Sequence, residues 1–177
     1  MAAAPETPDD AGIGVRVAVG GAGAVSASTG LPVLDHLLGL LGRYAGFDVA
    51  LEIAPGRRDD EVAAAGRALG RALREQLRVD GARGYGSAVL PADEALAHVA
   101  LETSERPRVV SNVDLSDARV GGLDTDLVAR FLDELAAGAG LTLHVRLLDG
   151  DDTQHVLEAI FKALGVSLSQ ACRPRSS

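Results

Sequence analysis

Residues 154–165 read QHVLEAIFKALG, and residues 59–70, 95 positions upstream, read DDEVAAAGRALG. Both segments have the apolar spacing of a helix, and both end in Ala-Leu-Gly. The later segment carries His155 and Glu158 three positions apart, so both side chains lie on one helix face and could hold a metal. The earlier segment contains no histidine. The two segments predict a duplicated structural unit that keeps metal-type side chains in one copy only.

The sequence around these segments repeats in the same order. Phe47-Asp48-Val49 corresponds to Leu141-Thr142-Leu143, and Pro55-Gly56 corresponds to Asp149-Gly150. Alternating patterns predict strands at residues 15–19, 24–28, 47–53, 87–90, 97–101, 108–113 and 141–147. The second of these is expected to be a return strand after a turn at residues 20–23. Helical spacing predicts helices at residues 31–44, 59–77, 124–137 and 154–171.

This order of elements predicts an α+β fold made of two fused similar halves. Each half is expected to be a small, mostly antiparallel sheet covered on one face by two helices. The predicted halves span residues 12–84 and 85–172, between flexible tails at 1–11 and 173–177. A half of this size would be marginally stable alone. We therefore expect one compact domain in which the two halves close a common core.

Composition limits the classes of function. The formal net charge of −8 argues against nucleic-acid binding through bulk electrostatics, although local arginine clusters could still bind a small phosphate. The single cysteine excludes an intramolecular disulfide framework and is compatible with a reducing compartment. The first residues lack the features of a secretory signal, and no apolar run approaches the length of a membrane span. We expect a cytoplasmic protein that does not contact a membrane.

Metal-type side chains occur at four predicted positions. His36 falls on the first helix, His144 on the last strand, and His155 and Glu158 on the last helix. Three imidazoles and one carboxylate are a ligand set that manganese or zinc accepts. Each histidine taken alone is more often a packed or solvent-facing ring than a ligand, and spacing does not show that the four converge.

Two other groups of side chains are candidates for a site. Arg106, Arg119 and Lys162 could bind phosphate oxygens, since arginine offers a two-pronged donor and lysine a compact charge. Surface ion pairs with the many acidic residues are the alternative for these cations. Asp93 and Glu94 are paired acids at a junction between a turn and a strand, and they are the candidates for catalytic groups. A solvated turn explains the two acids equally well.

Six stretches of the chain resemble imidazoleglycerol-phosphate dehydratases. They are STGLPVLDHLL at 28–38, LPADEAL at 90–96, SERP at 104–107, RVG at 119–121, GLTLHVR at 140–146 and HVLEAIFKA at 155–163. The resemblance implies two fused similar halves, assembled into trimers and then into a larger symmetric shell. It also implies removal of water from imidazoleglycerol phosphate in histidine biosynthesis, with two manganese ions held where subunits meet. Arg106, Arg119 and Lys162 match part of the family's phosphate-binding set.

The resemblance also identifies what has changed at the metal ligands. Family ligands are matched by His36, His144, His155 and Glu158. Family members carry two copies of a His-His-x-x-Glu motif. In the first copy this chain has Asp59, Asp60 and Ala63, and in the second copy Gln154 replaces the leading histidine. Asp59 and Asp60 remain possible substitute ligands because manganese accepts carboxylate oxygen, whereas alanine offers no donor.

Other family features are missing as well. The family's Arg-Thr-x-Glu-Thr stretch has no counterpart at residues 12–23, and the histidine expected on the first helix is Tyr44. The family's C-terminal Ser-Ser-Lys segment, which closes over phosphate, has no counterpart before Ser177. These losses predict manganese at reduced occupancy or none.

Two hypotheses follow from the resemblance and its departures. The leading one is a diverged paralogue with lost or strongly reduced dehydratase activity, a pseudoenzyme that binds a small phosphorylated ligand or mixes with a genuine dehydratase subunit. The alternative is an active dehydratase, or a related carbon–oxygen lyase, with a rearranged metal site. In either case we expect a homo-oligomer, and empty metal sites are expected to stop assembly at a trimer or a smaller form.

Overall fold

The computed structural model describes residues 12–54, 58–116 and 118–175. Four helices are present in this part of the chain: α1 (Pro32–Ala45), α2 (Arg58–Leu77), α3 (Thr125–Ala139) and α4 (Thr153–Cys172). The strands are β1 (Ile13–Ala18), β2 (Val25–Ser28), β3 (Asp48–Ile53), β4 (Tyr85–Ala92), β5 (Ala95–Thr103), β6 (Arg108–Ser111), β7 (Arg119–Val120), β8 (Leu123–Asp124) and β9 (Leu141–Asp149). The predicted α+β class is confirmed, and the short β7–β8 hairpin is an addition that the sequence pattern did not indicate.

The first sheet has the strand order β1-β3-β2. β1 runs antiparallel to β3, whereas β2 runs parallel to it. The expected hairpin between β1 and the following return strand is therefore wrong, because β3 lies between them. The Asp48 carboxylate accepts hydrogen bonds from the backbone N–H groups of Ala22 (3.0 Å) and Ala24 (2.9 Å). These bonds hold the connection from β1 to β2 against the start of β3.

The second sheet has the order β4-β5-β9-β6. Its first two pairings are antiparallel, and β6 runs parallel to β9. The order β5-β9-β6 thus repeats the mixed pattern of β1-β3-β2, with β4 added at one edge. In this sheet, His98 lies on β5 and His144 lies on β9. Asp93 and Glu94 lie in the turn between β4 and β5.

The helices lie between the two sheets. α1 and α2 pack on the first sheet, α3 and α4 pack on the second, and across the middle α1 contacts α4 while α2 contacts α3. Three phenylalanines are fully buried in this common core, and the rings of Phe131 in α3 and Phe161 in α4 lie 6.5 Å apart. Each half therefore buries its helices against the other half, which makes one domain out of two similar units.

Two glycines show that the halves are related by an approximate twofold exchange. Gly70 of α2 faces the backbone of Leu135 in α3 so closely that a Cβ atom would collide with the carbonyl oxygen of Leu135. Gly165, its counterpart in α4, faces the carbonyl oxygen of Leu41 in α1 in the same way. Leu41 and Leu135 are themselves corresponding positions of the repeat. The same close contact is thus made twice, with the two halves exchanged.

The two predicted tails lie mostly outside the residues that the structure describes. Residues 1–11 lie outside the described part of the chain, as do residues 176–177. Residues 173–175, however, are held by backbone hydrogen bonds: the Arg83 N–H donates to the Arg173 carbonyl, and the Arg175 N–H donates to the Gly81 carbonyl, each at 2.8 Å. Among the described helices, none is both long and apolar enough to cross a membrane.

Candidate functional site

The start of α4 is tied to the β4–β5 turn by a carboxylate–imidazole pair. Asp152 caps α4, and its side chain accepts a hydrogen bond from the backbone N–H of His155 at 3.1 Å. The Glu94 carboxylate accepts a hydrogen bond from the Asp152 N–H through Oε1 (3.0 Å) and lies 2.7 Å from His155 Nδ1 through Oε2. Asp93 Oδ2 lies 3.3 Å from His155 Nε2. Both ring nitrogens of His155 therefore face carboxylates of the turn.

This arrangement changes the acid–base properties of both partners. Hydrogen bonds from the Asp152 N–H, from the Glu94 backbone and from His155 lower the pKa of Glu94 from 4.5 to about 2. The hydrogen bond to Glu94 is also the main reason that the pKa of His155 is raised above 6.5. Glu94 is thus held as a carboxylate, and its low pKa makes it a weak base whose main role is to hold and charge-stabilise the His155 ring.

Replacing Glu94 with glutamine is expected to lower the pKa of His155 toward 6.5, because its strongest hydrogen-bond acceptor loses its charge. An NMR titration of the His155 ring in the presence of a chelator measures this shift. Asp93→Asn is the matched control and should shift the pKa less, since Asp93 contributes the weakest of the three carboxylate effects on His155. An unchanged His155 pKa in Glu94→Gln would contradict the contact.

The same pair predicts how stability depends on pH. The Glu94 contribution is complete above its unfolded pKa of 4.5 and is lost as the pH falls toward 2. The His155 contribution is complete below 6.5 and is lost as the pH rises through the higher pKa of the folded state. The pair therefore contributes most between about pH 4.5 and 6.5.

A second cluster lies one turn further along α4. His36 Nε2 of α1 is 3.2 Å from Glu158 Oε1, and the side-chain amide of Gln154 donates to the same oxygen at 3.3 Å. His36 is held at the start of α1 because Asp35 accepts hydrogen bonds from the backbone N–H (2.9 Å) and hydroxyl (2.6 Å) of Thr29. The structure thus brings His36 and Glu158 into contact. This proximity is needed if the two side chains bind the same metal, as the sequence analysis predicts.

The corresponding place in the other half holds different chemistry. There, Arg130 of α3 occupies the position that corresponds to His36, and its Nη2 lies 3.6 Å from Asp60 Oδ1 at the start of α2. Asp59 is exposed, and Ala63, which corresponds to Glu158, is buried. A guanidinium cannot ligate a metal because it has no free lone pair and stays protonated. Asp60, a possible substitute ligand, is therefore already paired with a cation.

His144 does not join either cluster. It is exposed on β9, between Ala100 and Val110, on the sheet face opposite the buried Leu143 and Val145. The remaining histidine, His98, lies on the same outer face and is hydrogen-bonded to the Ser87 hydroxyl at 2.7 Å. These two imidazoles thus lie on the far side of the second sheet from α4, which packs on its other face.

The three predicted phosphate-binding cations lie on separate elements. Lys162 donates to the Pro91 carbonyl at 3.2 Å and lies 5.4 Å from the centre of the Tyr44 ring. Arg119 pairs with Asp124 across the β7–β8 hairpin at 2.7 Å, which raises the pKa of Arg119 and lowers that of Asp124. Arg106 is exposed in the β5–β6 connection. No hydrogen bond or ion pair within the described residues joins any two of the three.

The side chains of one chain do not fit the pair of manganese ions that the resemblance implies. Among residues 12–54, 58–116 and 118–175, no group of three or more His, Cys, Asp or Glu side chains is arranged to hold a metal. Asp93 and Glu94 point at the ring nitrogens of His155 rather than sharing a common centre with them. His144 lies apart, and the second half's copy of the His36 position is an arginine. We therefore derive no reaction step through a metal.

Two contributors to the site were not anticipated. Asp152 could have been found as an N-cap residue just before a helical pattern. Arg130 could have been found by adding to His36 the 94-residue offset that separates Phe47 from Leu141. The contact between Glu94 and His155 joins residues 61 positions apart, so only the folded chain reveals it.

Comparison with known proteins is consistent with this geometry. The family model described as imidazoleglycerol-phosphate dehydratase matches residues 29–168. This chain therefore belongs to the imidazoleglycerol-phosphate dehydratase family, and the predicted family is confirmed.

Individual relatives cover most of the chain. The imidazoleglycerol-phosphate dehydratase of Syntrophobacter fumaroxidans is 44% identical over 160 residues, which cover 88% of this chain and 81% of the relative. That of Pelobacter propionicus is 38% identical over 159 residues, which cover 88% of this chain and 82% of the relative. The solved structure of the Staphylococcus aureus dehydratase superposes with a TM-score of 0.84 at 31% identity, over 92% of this chain and 94% of that one.

Proposed function

We propose that this protein is a diverged member of the dehydratase family in which the dehydration of imidazoleglycerol phosphate is lost or strongly reduced, while part of a phosphate-binding pocket is retained. The observation that carries the proposal is the Arg130–Asp60 ion pair, at the position where the other half has its imidazole and carboxylate cluster. A cation at this position opposes the binding of a divalent metal. Ala63 removes a further carboxylate from the same place.

The retained features support binding of a small phosphorylated ligand. Arg106 and Arg119 are exposed, and Lys162, whose ammonium group has three donors, uses one on the Pro91 carbonyl. Neighbouring subunits could bring cations of this kind together around one phosphate. We therefore propose a cytoplasmic homo-oligomer, a trimer or a larger shell, which in cells could include a genuine dehydratase subunit.

Manganese content and turnover of the purified protein test the proposal directly. After incubation with manganese and removal of the unbound ion, we expect clearly less than two ions per chain by elemental analysis. Turnover of imidazoleglycerol phosphate is expected to fall far below the usual enzymatic range of about 1–1,000 per second. Two ions per chain together with turnover inside that range would overturn the proposal. Sizing with and without manganese shows whether the metal drives assembly beyond a trimer.

An active enzyme with a rearranged site is the second candidate. The pairing of His36 with Glu158, together with the His155 imidazole held by Glu94, supports this alternative because imidazoles and potential metal ligands persist at one end of α4. If it holds, His155→Ala and Glu158→Ala abolish turnover and weaken manganese binding. His98→Ala, which removes an imidazole that is hydrogen-bonded to Ser87 on the outer sheet face, is the matched control and should leave both unchanged.

A further inference from the structure

Tyr44 brings an aromatic ring to the ammonium group of Lys162. Tyr44 lies in the last turn of α1, and its ring centre is 5.4 Å from Lys162 Nζ of α4. This distance is within the roughly 6 Å over which an ammonium group is attracted to the face of a ring. The resemblance to the dehydratase family predicts a histidine at position 44, so the phenol ring is a feature of this chain.

A second contact holds the same ammonium group from a different element. Lys162 Nζ donates a hydrogen bond to the Pro91 carbonyl of β4 at 3.2 Å. The Lys162 side chain therefore lies where α1, α4 and β4 meet, and it is partly buried there. A free lysine side chain samples many rotamers, and ordering it costs entropy. Because both contacts are made within the chain itself, Lys162 is ordered before a ligand arrives.

Both partners of Lys162 are electrically neutral. A carbonyl oxygen accepts a hydrogen bond, and a tyrosine ring attracts a cation through the negative face of its π system. Within residues 12–54, 58–116 and 118–175, no carboxylate lies within ion-pair distance of Lys162. Arg119, by contrast, is paired with Asp124 at 2.7 Å. The Lys162 ammonium group is thus held in place while no neighbouring acid in these ranges compensates for its charge.

We propose that Tyr44 is a positioning residue that holds Lys162 ready for the phosphate group of a small phosphate monoester. This inference rests on the proposed function, in which Lys162 contributes to a phosphate-binding pocket. One of the three ammonium donors is used on the Pro91 carbonyl, so further donors are left for phosphate oxygens. A phosphate monoester carries a charge of about −1.5 to −2 at neutral pH. An ordered, uncompensated cation is therefore a favourable partner for it.

Calorimetric titration of the full-length protein with imidazoleglycerol phosphate, at fixed ionic strength, tests this role. Tyr44→Leu is expected to weaken binding about threefold to tenfold, because the lysine side chain must then be ordered when the ligand binds. Tyr44→Phe keeps the ring and should bind within about twofold of the original chain. Tyr85→Leu is the matched control. The Tyr85 ring is 54% exposed and lies 4.2 Å from the Arg83 guanidinium, and its loss should also change binding by less than about twofold.

A double-mutant cycle separates positioning from a general effect on the fold. In the Lys162→Gln background, Tyr44→Leu should have no further effect on affinity, since no ammonium group is left to position. A substitution that merely loosened the packing of α1 on α4 would weaken binding in both backgrounds alike. Equal losses in the two backgrounds would overturn the proposal. Equal weakening by Tyr44→Phe and Tyr44→Leu would overturn it too, because the ring would then not be the group that matters.

The outcomes also separate this inference from the proposed function. If Lys162→Gln weakens binding and Tyr44→Leu does not, the phosphate pocket stands and the role of Tyr44 alone is overturned. If the original chain binds no imidazoleglycerol phosphate, or if Lys162→Gln binds it unchanged, the proposed pocket fails and the role of Tyr44 fails with it. Tyr44 is 40% exposed, and should Tyr44→Leu not fold, Tyr44→Gln, which suits an exposed helix position, gives the same comparison. None of these readouts depends on dehydratase turnover.

Discussion

Restoring the missing ligands is expected to strengthen manganese binding by about a hundredfold or more, since loss even of groups that merely support a metal ligand costs about 10–100-fold. The variant combines Gln154→His with Asp59→His, Asp60→His and Ala63→Glu. Gln154 already lies 3.3 Å from Glu158, so an imidazole at this position would join His36 and Glu158 around one centre. A histidine nitrogen is a far better manganese donor than a neutral amide.

The two helix starts are expected to respond differently. Gln154→His alone should recover binding at the α4 end, where His36 and Glu158 are in place. The three changes on α2 should recover less, because Arg130 keeps a positive charge beside the new ligands. Gln154→Asn is the matched control and should bind no more manganese than the original chain. Equal gains at both ends would contradict the role assigned to Arg130, and no gain at either would contradict the assignment of these positions as ligands.

Gly165→Ala is expected to destabilise the folded protein by about 1–3 kcal/mol, the usual range for forcing extra atoms into a packed core. The new Cβ would collide with the Leu41 carbonyl oxygen and lie 3.1 Å from the Ala45 nitrogen, so α1 and α4 would have to separate. Gly70→Ala should have a similar effect at the α2–α3 contact, because the Leu135 carbonyl oxygen and the Ala139 nitrogen stand in the same relation to it.

Gly39→Ala is the matched control on α1. A Cβ atom at this position meets no atom within 4 Å, and helix propensity favours alanine by roughly 0.5–1 kcal/mol. Urea unfolding at one fixed chain concentration compares the three variants, since dissociation of an oligomer would otherwise enter the measured stability. Equal stabilities of Gly165→Ala and Gly39→Ala would show that the helices separate without cost, against the close packing described.

Much of the fold could be predicted from periodicity because the same pattern occurs twice. The helices end within two residues of the predicted positions, and Gly46 and Gly140, at corresponding positions, both end their helices in the left-handed conformation, with φ of +71° and +70°. Strand pairing was not predictable in the same way. An alternating pattern shows which face of β2 is buried and carries no information on whether β1 or β3 is its neighbour.

The sequence identified which residue types belong to the candidate site, but it did not show which side chains contact each other. His155 and Glu158 share a helix face, as their spacing requires, yet their partners come from α1 and from the β4–β5 turn. His144 carries the right residue type and lies on the other face of a sheet. Such contacts depend on packing between distant parts of the chain, which cannot be inferred from the residues adjacent in sequence.

The exchanged glycine contacts have a consequence for how this sequence can change over generations. Gly70 and Gly165 lie in the middle of their helices, where each half must fit the other, so substitutions there are penalised through folding. Asp59, Asp60 and Gln154 lie in the first turns with exposed side chains, where substitutions alter chemistry at little cost in stability. Selection for catalytic activity can therefore weaken while selection for a stable fold continues. In a duplicated protein of this kind, the site residues of one half can be lost before those of the other half.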